Sequence, residues 1–272
     1  MNFISKLSSI RKKNQSNLIV GLDTDPLKIP DVFHSSENPA LEFNKAVIDS
    51  TKDICAGYKL NVAFYENLEE KGVQALRETL RYIPEDLLTI CDAKRGDLDN
   101  SAENYASVYF DKLGFDSITI SPYMGTDSVI PFIKRKDKHV FVLALTSNRS
   151  SSDFELLKSG DKYLYQHVTE KFLQTGDGKN IGFVFGANYV SEISDFTSSH
   201  PEVSLLIPGI GAQGNDLDEL MNNLNSDNFL INSSRDIIYA AGKDDDPDLI
   251  KEKIRTAALR VNENINGKRN RK

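Results

Sequence analysis

Eight apolar runs of strand length recur along the chain, at Leu18 to Leu22, Cys55 to Leu60, Leu87 to Cys91, Ser117 to Ser121, Val140 to Leu145, Ile181 to Phe185, Val203 to Pro208 and Phe229 to Asn232. Amphipathic stretches of helical length separate nearly every pair. Strands alternating with helices predict a parallel sheet. Eight such units within 272 residues favour closure into a single (β/α)8 TIM barrel of the α/β class over an open doubly wound sheet. The barrel domain is expected to span residues 1–272, with a short N-terminal helix over 1–15 and a frayed basic tail over 266–272. No linker, low-complexity segment or residue-level repeat divides it.

A net charge of −7 argues against a nucleic-acid partner, which would need a dominant basic face, so any phosphate handled here is small and local. Cys55 and Cys91 both fall inside apolar runs, as reduced core thiols of a cytoplasmic protein would. His34, His139, His167 and His200 are scattered outside any motif, and no metal-ligand cluster is visible, so no metal is expected. No apolar run reaches the roughly 18 residues that a membrane span requires. Near the start, Lys6, Arg11, Lys12 and Lys13 occur without an acid; this composition fits a transit peptide or a helix packed below the barrel, and the helix is preferred.

In this fold catalytic side chains come from the C-terminal ends of strands and the loops just beyond them. Asp92-Ala93-Lys94-Arg95-Gly96-Asp97 follows the third run directly. Asp92 and Lys94 are two apart, so they share a face of an extended chain, and Gly96 permits a turn that returns Asp97 toward them. The bland alternative is a solvated ion pair at a strand end. The other polar candidates obey the same placement: Asp23 ends strand one, Lys59 ends strand two, Ser147 follows strand five, Gln213 strand seven and Arg235 strand eight.

Gly209-Ile210-Gly211-Ala212-Gln213-Gly214 matches G-x-G-x-x-G, but a dinucleotide fold places that turn in its first unit, with an acid at the next strand tip. Here the turn comes late and the next tip is Asn232-Ser233-Ser234. The glycines instead suit a loop closing over a ligand. Ser233 or Ser234 can cap a helix beginning near Arg235, where backbone amides, the helix dipole and a guanidinium would meet an anion. The competing reading pairs Arg235 with Asp236 or another surface acid.

Leu22-Asp23, Tyr58-Lys59, the segment from Asp92 to Asp97, Pro208 to Gln213 and Asn232 to Arg235 together resemble the orotidine 5'-phosphate decarboxylase family over nearly the whole chain. Pro122-Tyr123-Met124-Gly125 and Thr146-Ser147-Asn148 point to its longer bacterial branch. The resemblance implies a cofactor-free carboxy-lyase that converts orotidine 5'-phosphate to uridine 5'-phosphate and carbon dioxide, the last step of de novo UMP synthesis. It implies Lys94 as proton donor to C6 of the pyrimidine, flanked by Asp92 and Asp97, with Lys59 completing the charged array. It further implies Asp23 as a ribose contact, Ser147 and Gln213 on the pyrimidine, and Gln213 and Arg235 at the phosphate, with Ser101 and Ser234 as further substrate-binding residues. A homodimer is implied too, with Asp97 reaching a neighbouring subunit. Where the family usually has a glycine two residues after that acid and a threonine four after, this chain has Asp99 and Ser101. A metal-dependent sugar-phosphate lyase of the same superfamily shares the Asp-x-Lys-x-x-Asp core but carries an acidic metal ligand where Lys59 stands. A catalytically dead nucleotide-binding relative would have lost the central charges, and all are present.

Overall fold

The computed structural model describes residues 2–175, 179–210 and 217–269. Helix α1 (Phe3–Asn14) leads into strand β1 (Leu18–Gly21), α2 (Pro39–Thr51), β2 (Gly57–Asn61), α3 (Val62–Glu66), α4 (Glu69–Tyr82) and β3 (Leu88–Arg95). Next come α5 (Asp99–Ala106), a π-helical stretch over Ser107–Lys112, β4 (Ser117–Ile120), α6 (Ile130–Ile133), β5 (His139–Leu145) and a hairpin of β6 (Lys158–Ser159) with β7 (Lys162–Tyr163). The remainder is α7 (Leu164–Leu173), β8 (Ile181–Phe185), α8 (Val190–Ser199), β9 (Leu205–Pro208), α9 (Leu217–Asn223), β10 (Phe229–Ser233), α10 (Arg235–Ile238) and α11 (Pro247–Arg269). Strand order β1-β10-β9-β8-β5-β4-β3-β2 closes the parallel barrel that the alternation predicts.

Several boundaries differ from the sequence reading. β2 and β9 start two residues later than expected, Lys59 lies inside β2 and not at its end, and β3 continues to Arg95, so Asp92 and Lys94 lie within the strand and not just beyond it. The segment expected to fray from 266 onward is helical through Arg269, and 270–272 lie outside the described residues. Among the described residues no helix is long and apolar enough to cross a membrane.

The chain divides into two compact units. One holds Ile4–Asp92 with the chain from Asn232 onward. In it Gly21 lies beside Lys59 across the β1–β2 pairing, and Lys59 beside Ile90 across β2–β3. Asn38 caps α2 by accepting from the Leu41 amide, and Pro39 starts the helix where its missing donor costs nothing. α11 buries Ile250, Ile254, Ala258, Val261 and Ile265 along one helical stripe, and it packs on α2.

The other unit holds Ala93–Ile231 with the start of the chain. β4, β5, β8 and β9 pair in parallel, and Ile118, Val140, Phe141, Phe183 and Leu205 are wholly buried, the near-continuous apolar pattern of strands covered on both faces. His139 opens β5 inside this core, its Nε2 2.7 Å from the Ser204 hydroxyl and its ring stacked on Phe3 at 4.4 Å. Burial lowers its pKa from 6.5 to about 3. The unfolded chain therefore takes up a proton that the folded one refuses, so this stability is present above the unfolded value and is lost as pH falls toward the folded one. Urea midpoints between pH 7 and 4 should fall more for the native protein than for His139→Gln. Parallel loss in the two would refute this account of the histidine.

Candidate active site

Within the unit that carries Ile4–Asp92, strand register assembles a buried charge cluster. Residues two apart on a strand share a face, so Asp23 and Asp92, two beyond Gly21 and Ile90, rise on either side of Lys59. Lys59 Nζ lies 2.8 Å from Asp92 Oδ2 and 3.5 Å from Asp23 Oδ1, with its side chain only 5% exposed. Burial alone would push this lysine down; the two carboxylates outweigh it and hold the pKa above its ordinary value.

Residues that the sequence reading did not single out fix the Asp23 loop. The Tyr239 hydroxyl accepts from the Asp25 amide at 2.8 Å and donates to the Asp23 carbonyl at 3.0 Å. The Tyr65 hydroxyl donates to the Leu22 carbonyl at 3.0 Å and accepts from Asn44 Nδ2 at the same distance. Asn44, fully buried, also accepts from Thr24 and donates to Thr79. A polar side chain on the apolar face of an amphipathic helix is the one signal that could have revealed this network, since a buried amide demands partners.

The same unit carries the expected anion end. A Cβ at Gly21 would come within 1.8 Å of Ser234 Oγ, so only glycine lets β1 lie this close to Ser234. Ser234 holds the cap position of α10, but its side chain makes no capping bond; its hydroxyl is 3.4 Å from Asn232 Nδ2. With four residues, α10 is also too short to supply the helix dipole that was expected there. What stands is Arg235, exposed and without an ion pair among the described residues, which removes the reading that pairs it with Asp236. Gln213 and residues 211–216 lie outside the described residues; Gly209, where that loop begins, has φ of 99°.

In the unit that carries Ala93–Ile231, Lys94 has φ of 48°, a left-handed conformation that leaves the extended geometry assumed for it. Its amide donates to Thr119 Oγ1 at 3.0 Å, and the residue is exposed. Asp97 is half-buried and accepts from the Leu98 amide at 2.8 Å. Asp99 has φ of 45°, a left-handed conformation that glycine favours and aspartate tolerates. Ser101 is exposed on α5, its amide bonded to the Leu98 carbonyl. Ser147 packs against Gly186, where a Cβ would fall 2.6 Å from its Cα, and Glu155 fixes the preceding Thr146 through both its amide and its hydroxyl. Among the described residues no group of three or more histidines, cysteines or acids is arranged to hold a metal.

Residues 16–246 match the Orotidine 5'-phosphate decarboxylase / HUMPS family. The chain belongs to this family. It is 47% identical over 234 residues to an orotidine 5'-phosphate decarboxylase of Christiangramia forsetii, covering 84% of this chain and 86% of that protein. The solved OMP decarboxylase of Leishmania donovani superposes with a TM-score of 0.82 at 34% identity over 99% of both chains. The Leishmania donovani UMP synthase gives 0.85 at 36% identity, over 99% of this chain and 57% of that one.

Asp92→Ala would leave Lys59 buried with the longer contact to Asp23, and unpairing a buried charge costs about 3 kcal/mol. Urea unfolding should register a loss of that order, and a loss below about 1 kcal/mol would contradict the clamp. At position 99 the expected order of stability is glycine above aspartate above valine, with valine lowest by at least about 1 kcal/mol; thermal unfolding of Asp99→Gly and Asp99→Val checks it.

Proposed function

We propose that this chain decarboxylates orotidine 5'-phosphate to uridine 5'-phosphate, without a metal or organic cofactor, in the cytoplasm and as a homodimer. The observation that carries the reading is the Lys59 ammonium fixed between Asp92 and Asp23 in a member of this family. A cation already stands where a metal-dependent relative would need an acidic ligand, and it would repel Mg²⁺.

In the reaction the bond from C6 to the carboxyl group breaks, carbon dioxide leaves, and an electron pair remains in an in-plane orbital that the ring cannot delocalise. Lys94 is the positive charge for that carbanion and the proton that quenches it; water then reprotonates the amine. Charge positioned in advance stabilises such a transition state because no reorganisation is needed as it forms. Lys94 is exposed in the chain by itself, so in this reading the bound nucleotide removes water from it. Asp92 and Asp97 flank it in role, Asp97 serving the neighbouring subunit. Asp23 binds ribose, Ser147 and Gln213 the pyrimidine, and Gln213 and Arg235 the phosphate, with Ser101 and Ser234 as further substrate-binding residues. Arg235, exposed and without an ion pair among the described residues, is available for that task.

The test is the loss of ultraviolet absorbance when purified protein meets orotidine 5'-phosphate, with and without a chelator. Turnover that survives chelation supports the proposal; dependence on added Mg²⁺, or binding without turnover, overturns it. Arg235→Ala should raise KM with kcat largely kept, whereas Lys94→Ala should nearly abolish kcat with binding partly retained, and the reverse pattern would exchange the two roles.

A further inference from the structure

Lys94 keeps a left-handed backbone inside a strand, an unfavourable conformation that persists only where neighbouring groups over-determine it. Two anchors flank it. On one side the Lys94 amide is tied to Thr119 Oγ1 of β4. On the other side the whole of Arg95 is held, backbone and side chain. Its carbonyl accepts from the Ser121 amide at 2.7 Å, and its Nη2 donates to the Tyr109 hydroxyl at 2.8 Å. The guanidinium also lies 5.0 Å from the centre of the Tyr105 ring and 5.7 Å from that of Tyr109. Those two rings stack on each other at 6.4 Å with 12° between their planes, and Tyr109 in turn meets Phe115 edge-on.

Tyr109 is supplied by the π-helical stretch Ser107–Lys112, in which the Leu113 amide reaches back to the Val108 carbonyl. Such widened turns cost hydrogen-bond geometry and tend to occur where a side chain must be aimed. Here the turn delivers a buried tyrosine hydroxyl to the side chain of the residue next to Lys94.

We infer that Arg95 is a positioning residue for Lys94: clamped by Tyr105 and Tyr109, it holds the strained backbone that aims the lysine, and it takes no part in binding phosphate. Its planar guanidinium suits this task because it stacks and donates at once, which a lysine at the same place cannot do. The kinetic part of the inference rests on the decarboxylase reading; the structural part does not.

The experiment compares the native protein with Tyr109→Phe, Arg95→Met and Arg95→Lys by steady-state kinetics on orotidine 5'-phosphate and by amide hydrogen exchange of the peptide covering residues 93–97. Tyr109→Phe removes one oxygen and leaves the ring in place, so it decides the matter should the arginine variants fail to fold. The expected result is a fall in kcat of about tenfold for Tyr109→Phe, more for Arg95→Met, no rescue by Arg95→Lys, KM within about twofold, and faster exchange over 93–97. Unchanged kcat in Tyr109→Phe overturns the inference, and so does a rise in KM at constant kcat, which would make Arg95 a substrate ligand. Absence of turnover in the native protein would sink the decarboxylase reading; the exchange comparison would then decide the clamp, with unaltered protection in Tyr109→Phe counting against it.

Discussion

An ammonium taken out of water loses a large hydration energy, and Lys59 tolerates this because two carboxylates flank it, one within β3 and one just beyond β1. The interaction works in both directions. The acids keep the amine charged, and the amine draws Asp23, two residues beyond β1, and Asp92 within β3 to one point, so three neighbouring parallel strands share a single electrostatic anchor. A shift of one residue in either pairing would send the carboxylate to the opposite face and leave a buried charge alone. Register and chemistry therefore constrain each other.

Strain is concentrated close to the same strand. Among the described residues four non-glycine positions have positive φ, and two of them, Lys94 and Asp99, lie on either side of Asp97. Each is supported locally: Lys94 by Thr119 and by the anchored Arg95, Asp99 by the start of α5. Backbone held in an unfavourable well on both sides of an acid is the expected signature of a segment shaped for something other than stability. The polar network of Thr24, Asn44, Tyr65 and Thr79 holds Leu22 and Thr24 on either side of Asp23 with buried side chains in place of strain, and Tyr239 holds the Asp23 carbonyl.

The barrel was legible because apolar runs of strand length alternate with amphipathic helices, and the runs at Ile181 to Phe185 and Ser117 to Ser121 match the observed strands to within a residue. The polar candidates were singled out because this fold sends its chemistry toward the C-terminal ends of strands, although Lys59 and Asp92 lie inside β2 and β3 and not at their tips. The rest depends on tertiary geometry. β3 reaches Arg95 because β4 is there to bond it, through Thr119 and Ser121, and nothing in Asp92-Ala93-Lys94-Arg95 announces that partner. Ser234 sits at a helix start without capping it, since Asn232 is the nearer partner for its hydroxyl. Asp99 takes a left-handed backbone where glycine is the usual occupant, because aspartate is among the few side chains that tolerate it.

The Lys59 anchor can be followed through its side-chain nitrogen by NMR in protein labelled with 15N-lysine, assigned through Lys59→Met, as pH is raised. An ammonium signal that persists above the ordinary lysine pKa of 10.5, with slowly exchanging protons, is expected. Deprotonation at or below that value would contradict the electrostatic anchor on which the arrangement of Asp23 and Asp92 depends.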